Sequence, residues 1–279
     1  MKKRLRELLP PEYSSKVYNS YDIIGNIAII RLAHVTKETA CIVAEAIMST
    51  HKNVKTVMAQ LSPVNGDFRL RKLTHVAGEN RTDTVHKESG CLLAVDIEKC
   101  YFSPRLFRER MRIARLVQAG ETIVNMFAGV GSFSVIIAKH SNASKIYSID
   151  INPVAIEYMK NNVRINGVYG KVIPVLADAR EVIHERLRRS ADRVLMPLPE
   201  RALEYLPHAL SALKDSTGYI HYYDFEHAAK AENPVEKVKQ RVVEQLETLA
   251  VSFQISYSHI VRTTGPNWHQ IVLDISVKA

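Results

Sequence analysis

Thr122-Ile123-Val124-Asn125-Met126-Phe127-Ala128-Gly129-Val130-Gly131-Ser132-Phe133-Ser134 continues through an apolar run to Lys139, and Lys145-Ile146-Tyr147-Ser148-Ile149-Asp150 follows. The order is a short apolar strand, a turn with two close glycines, a helix, and a second strand that ends in an acid. Glycine in such a turn lets backbone approach a ligand where a side chain would collide. The helix behind it offers free N–H groups. An acid at the tip of the next strand, about 20 residues on, can hold the two hydroxyls of a ribose. A lone Gly-x-Gly is weak by itself, because any tight strand-to-helix turn can carry one. Here the third glycine of the dinucleotide fingerprint is missing, and Ile151-Asn152-Pro153 opens a loop and a new helix after Asp150.

Downstream the alternation continues, and it predicts a mostly parallel sheet. Residues 154–166 are spaced as an amphipathic helix closed by Asn166-Gly167. Strands are expected at 171–176, 193–196 and 218–223, with helices at 203–213 and 230–250. Two final strands, 251–261 and 268–277, surround Thr264-Gly265-Pro266-Asn267 and add one antiparallel member. Four strand ends then converge: Gly129/Gly131, Asp150, Asp178 and the Pro197-Leu198-Pro199 turn. Ligands of open α/β sheets bind at that edge. Each acid alone is more often a helix cap, but in register they point to a nucleoside site, with Asp178 placed to accept from an adenine amino group.

Upstream, residues 1–100 read as a separate small α+β module. A short helix at 5–9 stops at Pro10-Pro11. A β-branched strand at 22–32 is interrupted by Gly25-Asn26, a helix is expected at 37–50, and a strand at 54–61. Phe68-Arg69-Leu70-Arg71-Lys72-Leu73 alternates apolar and basic residues, which in a strand would put Arg69 and Arg71 on one face. Strands near 83–86 and 91–96 flank Lys87-Glu88-Ser89-Gly90. Pro104 then starts a helix through residue 116, in which Arg105, Arg108, Arg110, Arg112 and Arg115 surround one acid, Glu109.

The balance of 38 basic to 29 acidic residues, +9 overall, suits a polyanionic partner. No apolar run is long enough to span a bilayer, and the basic N-terminus lacks the apolar segment of a secretion signal. Cys41, Cys91 and Cys100 show no metal-ligand spacing and read as thiols of a reducing compartment. A cytoplasmic protein, with neither membrane nor metal dependence, is expected.

The residues resemble the archaeal and eukaryotic tRNA (guanine-37-N1)-methyltransferases. The matching stretches are Gly66-Asp67-Phe68-Arg69-Leu70-Arg71, Ala77-Gly78-Glu79-Asn80-Arg81-Thr82, Thr84-Val85-His86-Lys87-Glu88, Tyr101-Phe102-Ser103-Pro104-Arg105, Glu109-Arg110, Phe127-Ala128-Gly129-Val130-Gly131, Asp150-Ile151-Asn152-Pro153 and Asp178-Ala179-Arg180-Glu181. The resemblance implies a class I, Rossmann-like methyltransferase domain over 101–279, with S-adenosylmethionine as donor and the 1–100 module contacting RNA. The small extra N-terminal domain of the family is not matched.

The resemblance further implies residue roles. Glu109 becomes the general base, Arg69 faces guanine O6, and Pro197 and Pro199 line the catalytic turn. Arg110, Phe127, Gly129, Gly131, Asp150, Ile151, Asp178, Ala179 and Pro197 match positions that hold the donor. Arg71, Arg105 and Arg108 would contact RNA. The partner is a tRNA with a purine at position 37, and the enzyme is expected to be a monomer.

Two positions depart from the pattern. Asn125 stands where many relatives carry an acid. Pro197 replaces the asparagine of Asn-x-Pro, as in archaeal members that also methylate C7 of 4-demethylwyosine to isowyosine; that second activity is therefore expected too. A related branch transfers the aminocarboxypropyl group instead, but it lacks the arginine of Ser-Pro-Arg and the Leu-Pro turn, both present here. A non-catalytic RNA-binding relative is the other alternative, against which Glu109, Asp150 and Asp178 all speak.

Overall fold

The computed structural model describes residues 21–31, 36–62 and 64–278. The expected helix at 5–9 lies outside them. The chain divides into two compact units, Met1–Pro104 and Arg105–Ala279.

In the first unit, β1 (Asp22–Ile24) and β2 (Ile27–Arg31) form a hairpin around Gly25-Asn26. Helix α1 (Lys37–Thr50), capped by Thr36, crosses over so that β3 (Thr56–Gln60) runs parallel to β2. β4 (Leu73–Gly78) then completes the order β1-β2-β3-β4. Ala28, Ile30, Val43, Ala44, Ile47 and Val57 form its core. A second hairpin pairs β5 (Asp83–Glu88) with β6 (Cys91–Asp96). Its tip, Ser89 (φ 48°) and Gly90 (φ 72°), has the two positive φ angles that match the twist of a two-residue hairpin. The Thr84 hydroxyl ties β5 to the first hairpin by accepting from Asn26 N at 3.1 Å and donating to Asn26 Oδ1 at 2.7 Å.

One expected strand is absent. Residues 66–69 form a turn, and β4 begins only at Leu73. Asn65 and Leu70 exchange backbone hydrogen bonds of 2.8 and 3.0 Å across that turn, and Arg69 lies at φ 54°. The alternation from Phe68 is thus consumed by the reversal that Asn65-Gly66-Asp67 starts, so Arg69 and Arg71 share no strand face.

In the second unit, the 3-10 turn Pro104–Leu106 leads into α2 (Phe107–Leu116), so the helix proper starts three residues later than its proline suggests. A seven-stranded sheet follows, comprising β7 (Thr122–Asn125), β8 (Lys145–Asp150), β9 (Val172–Leu176), β10 (Arg193–Met196), β11 (Gly218–His227), β12 (Ser252–Gly265) and β13 (Trp268–Lys278). Its order is β12-β13-β11-β10-β7-β8-β9. β7 to β11 are mutually parallel, while β13 runs antiparallel to both β11 and β12. The chain reverses its direction of travel across the sheet between β7 and β10, which opens the crevice at that switch point. β12 occupies one edge, and its pairing slips at three places.

Helices α3 (Ser132–His140), α4 (Pro153–Ile165), α5 (Ala179–Val182), α6 (Ala202–Ala212) and α7 (Pro234–Thr248) connect the strands. α7 spans less than the 230–250 expected, because β11 runs on to His227 and Asn233 caps the helix. Strand alternation sorts the interior. Val124, Val194, Ile220 and Tyr222 pack with α6 and α7 in one apolar core. Arg193, His221, Tyr223 and Asp274 lie in register on the other parity, where Tyr223 and Asp274 bond with side chains of α2.

Candidate active site

The glycine turn is built by hydrogen bonding between neighbouring strand ends. Ala128 N donates to Ile149 O at 2.8 Å, and Gly129 N donates to Asp150 Oδ2 at 2.6 Å. Asp150 Oδ1 accepts from Asn152 N at 2.9 Å, and Asn152 in turn caps α4 through Val154 N. Burial pushes the Asp150 carboxyl upward, opposed by those backbone donors. Gly131, at φ 81°, precedes α3, whose first N–H groups receive no side-chain cap.

Gly131 carries a second requirement that was not anticipated. A Cβ there would lie 2.6 Å from Met159 Cγ of α4, so the glycine makes room for a packed helix as well as for a ligand. Asn125, fully buried at the end of β7, donates through Nδ2 to Ser134 Oγ at 3.1 Å, and Ser148 donates to that same oxygen at 2.7 Å.

Asp178 caps α5 by accepting from Arg180 N at 2.8 Å. It also accepts from Arg180 Nη2 at 2.8 Å and from the Tyr205 hydroxyl at 3.0 Å. Against the effect of burial, these donors hold the Asp178 carboxyl below the usual range. Burial, with the Asp178 charge beside it, pushes the Tyr205 phenol up to about 12, so it remains a donor. The edge of Phe127 meets the Tyr205 ring, with centroids 4.9 Å apart. Ala179 is buried behind Asp178, whereas Ile151 is exposed beside Asp150. Pro197 follows β10 directly and is half-buried, and Pro199 is buried at the start of a 3-10 turn. Since Met126 N donates to Leu195 O at 3.0 Å, this turn and the glycine turn leave adjacent strands side by side.

Glu109 belongs to the same unit. It is buried on α2, yet Oε1 accepts from the Tyr223 hydroxyl at 2.6 Å and from Arg112 Nη2 at 2.7 Å, while Oε2 accepts from Arg112 Nε at 2.8 Å. Arg110 is almost wholly buried and lies 5.9 Å from the Phe133 ring of α3. The Tyr223 ring lies 6.1 Å from that same Phe133. Glu109 is thus linked, through Tyr223 and its neighbour Arg110, to the helix that issues from the glycine turn.

Sequence reasoning missed the support of this acid. Arg112 bridges from Glu109 to Asp274 of β13, 162 residues away. Asp274 Oδ1 meets His221 Nδ1 at 2.6 Å, and His221 Nε2 meets Arg193 Nη1 at 2.7 Å. A guanidinium only donates, so His221 must accept at Nε2 and donate from Nδ1. Burial, stronger than the pull of Asp274, keeps that imidazole neutral. The available signal was Asp274 itself, a charge inside Ile271-Val272-Leu273-Asp274-Ile275.

Residues proposed for RNA divide. Arg105 and Arg108 are exposed on the first turns of the helix. Arg71 is buried and donates to Phe102 O at 3.1 Å. That bond holds part of its guanidinium inside the first unit. Arg69 packs on the Tyr101 ring, 4.1 Å from its centroid.

An open, mostly parallel sheet with a glycine turn, acids at successive strand ends and an uncapped helix start is the architecture of a Rossmann-like nucleoside-binding domain. The chain belongs to the TRM5/TYW2 methyltransferase family. That methyltransferase domain matches residues 84–251, and the TYW2 N-terminal domain matches residues 1–82. The tRNA (guanine(37)-N(1))-methyltransferase Trm5b of Pyrococcus abyssi is 40% identical over 96% of this chain and 78% of its own length. Its crystal structure superposes with a TM-score of 0.86 at 39% identity, covering 99% of this chain and 80% of that one. The tRNA 4-demethylwyosine(37)-methyltransferase Taw21 of Saccharolobus solfataricus is 36% identical over 93% of this chain and 94% of its own length.

Proposed function

We propose that the protein transfers a methyl group from S-adenosylmethionine to N1 of guanine-37 in tRNA, with Glu109 as the base. The observation that carries the role of Glu109 is its packing against Phe133, the first turn of the donor helix, through Arg110 and Tyr223. The uncapped start of α3 and the acceptor capacity of Asp150 fit a ribose-bearing donor. That donor supplies an electrophilic methyl group on a sulfonium.

Guanine N1 is a very weak acid and cannot attack until its proton is leaving. Glu109 takes that proton. Negative charge spreads onto O6, where the Arg69 guanidinium stabilises it. Arg69 is suited to a fixed role, because it projects from a turn clamped between Asn65 and Leu70 and lies on Tyr101. Arg110 and Phe127 wall the donor, Asp150 and Asp178 bind its hydroxyls and adenine, and N1 attack becomes a matter of alignment. The target base must leave its stack, at a cost of roughly a few kcal/mol. Phosphate contacts from Arg105 and Arg108 offset it.

The same pocket is proposed to methylate C7 of 4-demethylwyosine. Pro197 offers no side-chain amide at the wall beside the donor turn, and the chain matches Taw21 over nearly its full length.

Methylation of tRNA transcripts carrying guanine, adenine or inosine at position 37, and of tRNA carrying 4-demethylwyosine, tests both activities, with products identified by mass. Methyl gain on guanine and on the tricycle is expected. An aminocarboxypropyl product, or donor-independent RNA binding alone, would overturn the reading. Glu109→Gln should cut turnover by about 10²–10⁴, and Arg69→Ala by about 10²–10³, with donor affinity retained in both.

A further inference from the structure

We infer that Tyr223, Arg112 and Asp274 are positioning residues which aim the Glu109 carboxylate and leave a single acceptor position, the outer lone pair of Oε2, to receive the substrate proton. The inference rests on the reading of Glu109 as the base and deepens it.

A carboxylate has about four acceptor positions, two on each oxygen. Arg112 approaches as a fork, Nε to Oε2 at 2.8 Å and Nη2 to Oε1 at 2.7 Å. Such a pair uses the two positions that face the same way. The Tyr223 hydroxyl, at 2.6 Å, takes the remaining position on Oε1. Only Oε2 keeps one.

Each donor is itself immobilised. Arg112 presents its other edge to Asp274, with Nη1 to Oδ2 at 2.5 Å and Nη2 to Oδ1 at 3.0 Å. Its guanidinium also lies 4.6 Å from the Tyr257 ring centroid. Asp274 accepts from His221, whose tautomer is dictated by Arg193, and Arg193 is held in turn by Glu121 at 2.7 and 2.9 Å. Tyr223 is fully enclosed, and burial together with the Glu109 charge drives its phenol well above the ordinary range, so it stays a donor. Two guanidiniums face three carboxylates around a neutral imidazole. Asp274 therefore shares the Arg112 guanidinium with Glu109.

Tyr223→Phe and Arg112→Lys are the informative variants, since one removes a hydroxyl at constant volume and the other keeps the charge but loses the fork. Three measurements are made on each: turnover on guanine-37 tRNA, donor affinity by calorimetry, and a crystal structure without ligands. The expected result is turnover down about tenfold or more, donor affinity within about twofold of the parent, and the Glu109 carboxylate rotated in the ligand-free structure. Unchanged turnover, or a carboxylate that keeps its orientation, overturns the inference. A loss of turnover that parallels lost donor affinity also overturns it, because it marks general disruption. Glu109→Gln is run alongside: if it alone loses turnover, the base reading stands without the positioning set, and if it keeps turnover, the base reading itself fails.

Discussion

Asp274 is held by donors from two elements, His221 of β11 and Arg112 of α2. Burial alone would raise its carboxyl, yet donation from His221 and Arg112 holds it down at about 2, against an ordinary 3.8. A carboxyl depressed on folding adds stability that is complete above the unfolded value and disappears as pH falls through the folded one. The window therefore runs from about pH 4 to pH 2, with a contribution of about 2 kcal/mol. Denaturant melts of the parent at successive pH values should lose that amount across the window. Asp274→Asn should remove this part of the slope while lowering stability at neutral pH, because it leaves Arg112 short of a buried counter-charge. A parent curve that is flat below pH 4 would show that the Arg112–Asp274 pair does not form in solution.

At the scale of elements, the junction of β7 and α3 makes two demands on one glycine. Gly131→Ala puts a Cβ against Met159 and forces a side-chain residue to φ 81°, so about 1–3 kcal/mol of stability should be lost. Calorimetry should show Tm lower by several degrees, and an unchanged Tm would mean that Met159 moves aside freely. The glycine turn and its flanking elements were legible in the sequence because they are local: Gly129, Gly131 and Asp150 belong to one βαβ run, and period-2 and period-3.6 patterns mark its strands and helix. The turn at Arg69 was not, since Phe68-Arg69-Leu70-Arg71 alternates like a strand and only the geometry of Asn65-Gly66-Asp67 reveals the reversal. Nor could the partners of Tyr223 or Asp274 be assigned, because nothing local marks a hydrogen bond made across 114 or 162 residues. Membership of one strand parity becomes visible only when the strand order is known.

For the whole molecule, the net charge of +9 should govern association with tRNA. Log affinity is expected to fall linearly with log salt, and removing one cation that touches a phosphate reduces the slope by about one. Arg105→Ala and Arg108→Ala should each do so, whereas Arg71→Ala, which removes a buried bond to Phe102, should lower stability and leave the slope alone. Filter binding at several salt concentrations separates them. The sheet of the second unit has a further property. β12 lies along its border with fourteen residues, long enough to recruit a strand from another molecule. The slips between Ile255 and Tyr257, Ile260 and Arg262, and Thr263 and Gly265 break the regular row of outward N–H and C=O groups. A stranger's backbone finds no continuous ladder to extend along this border.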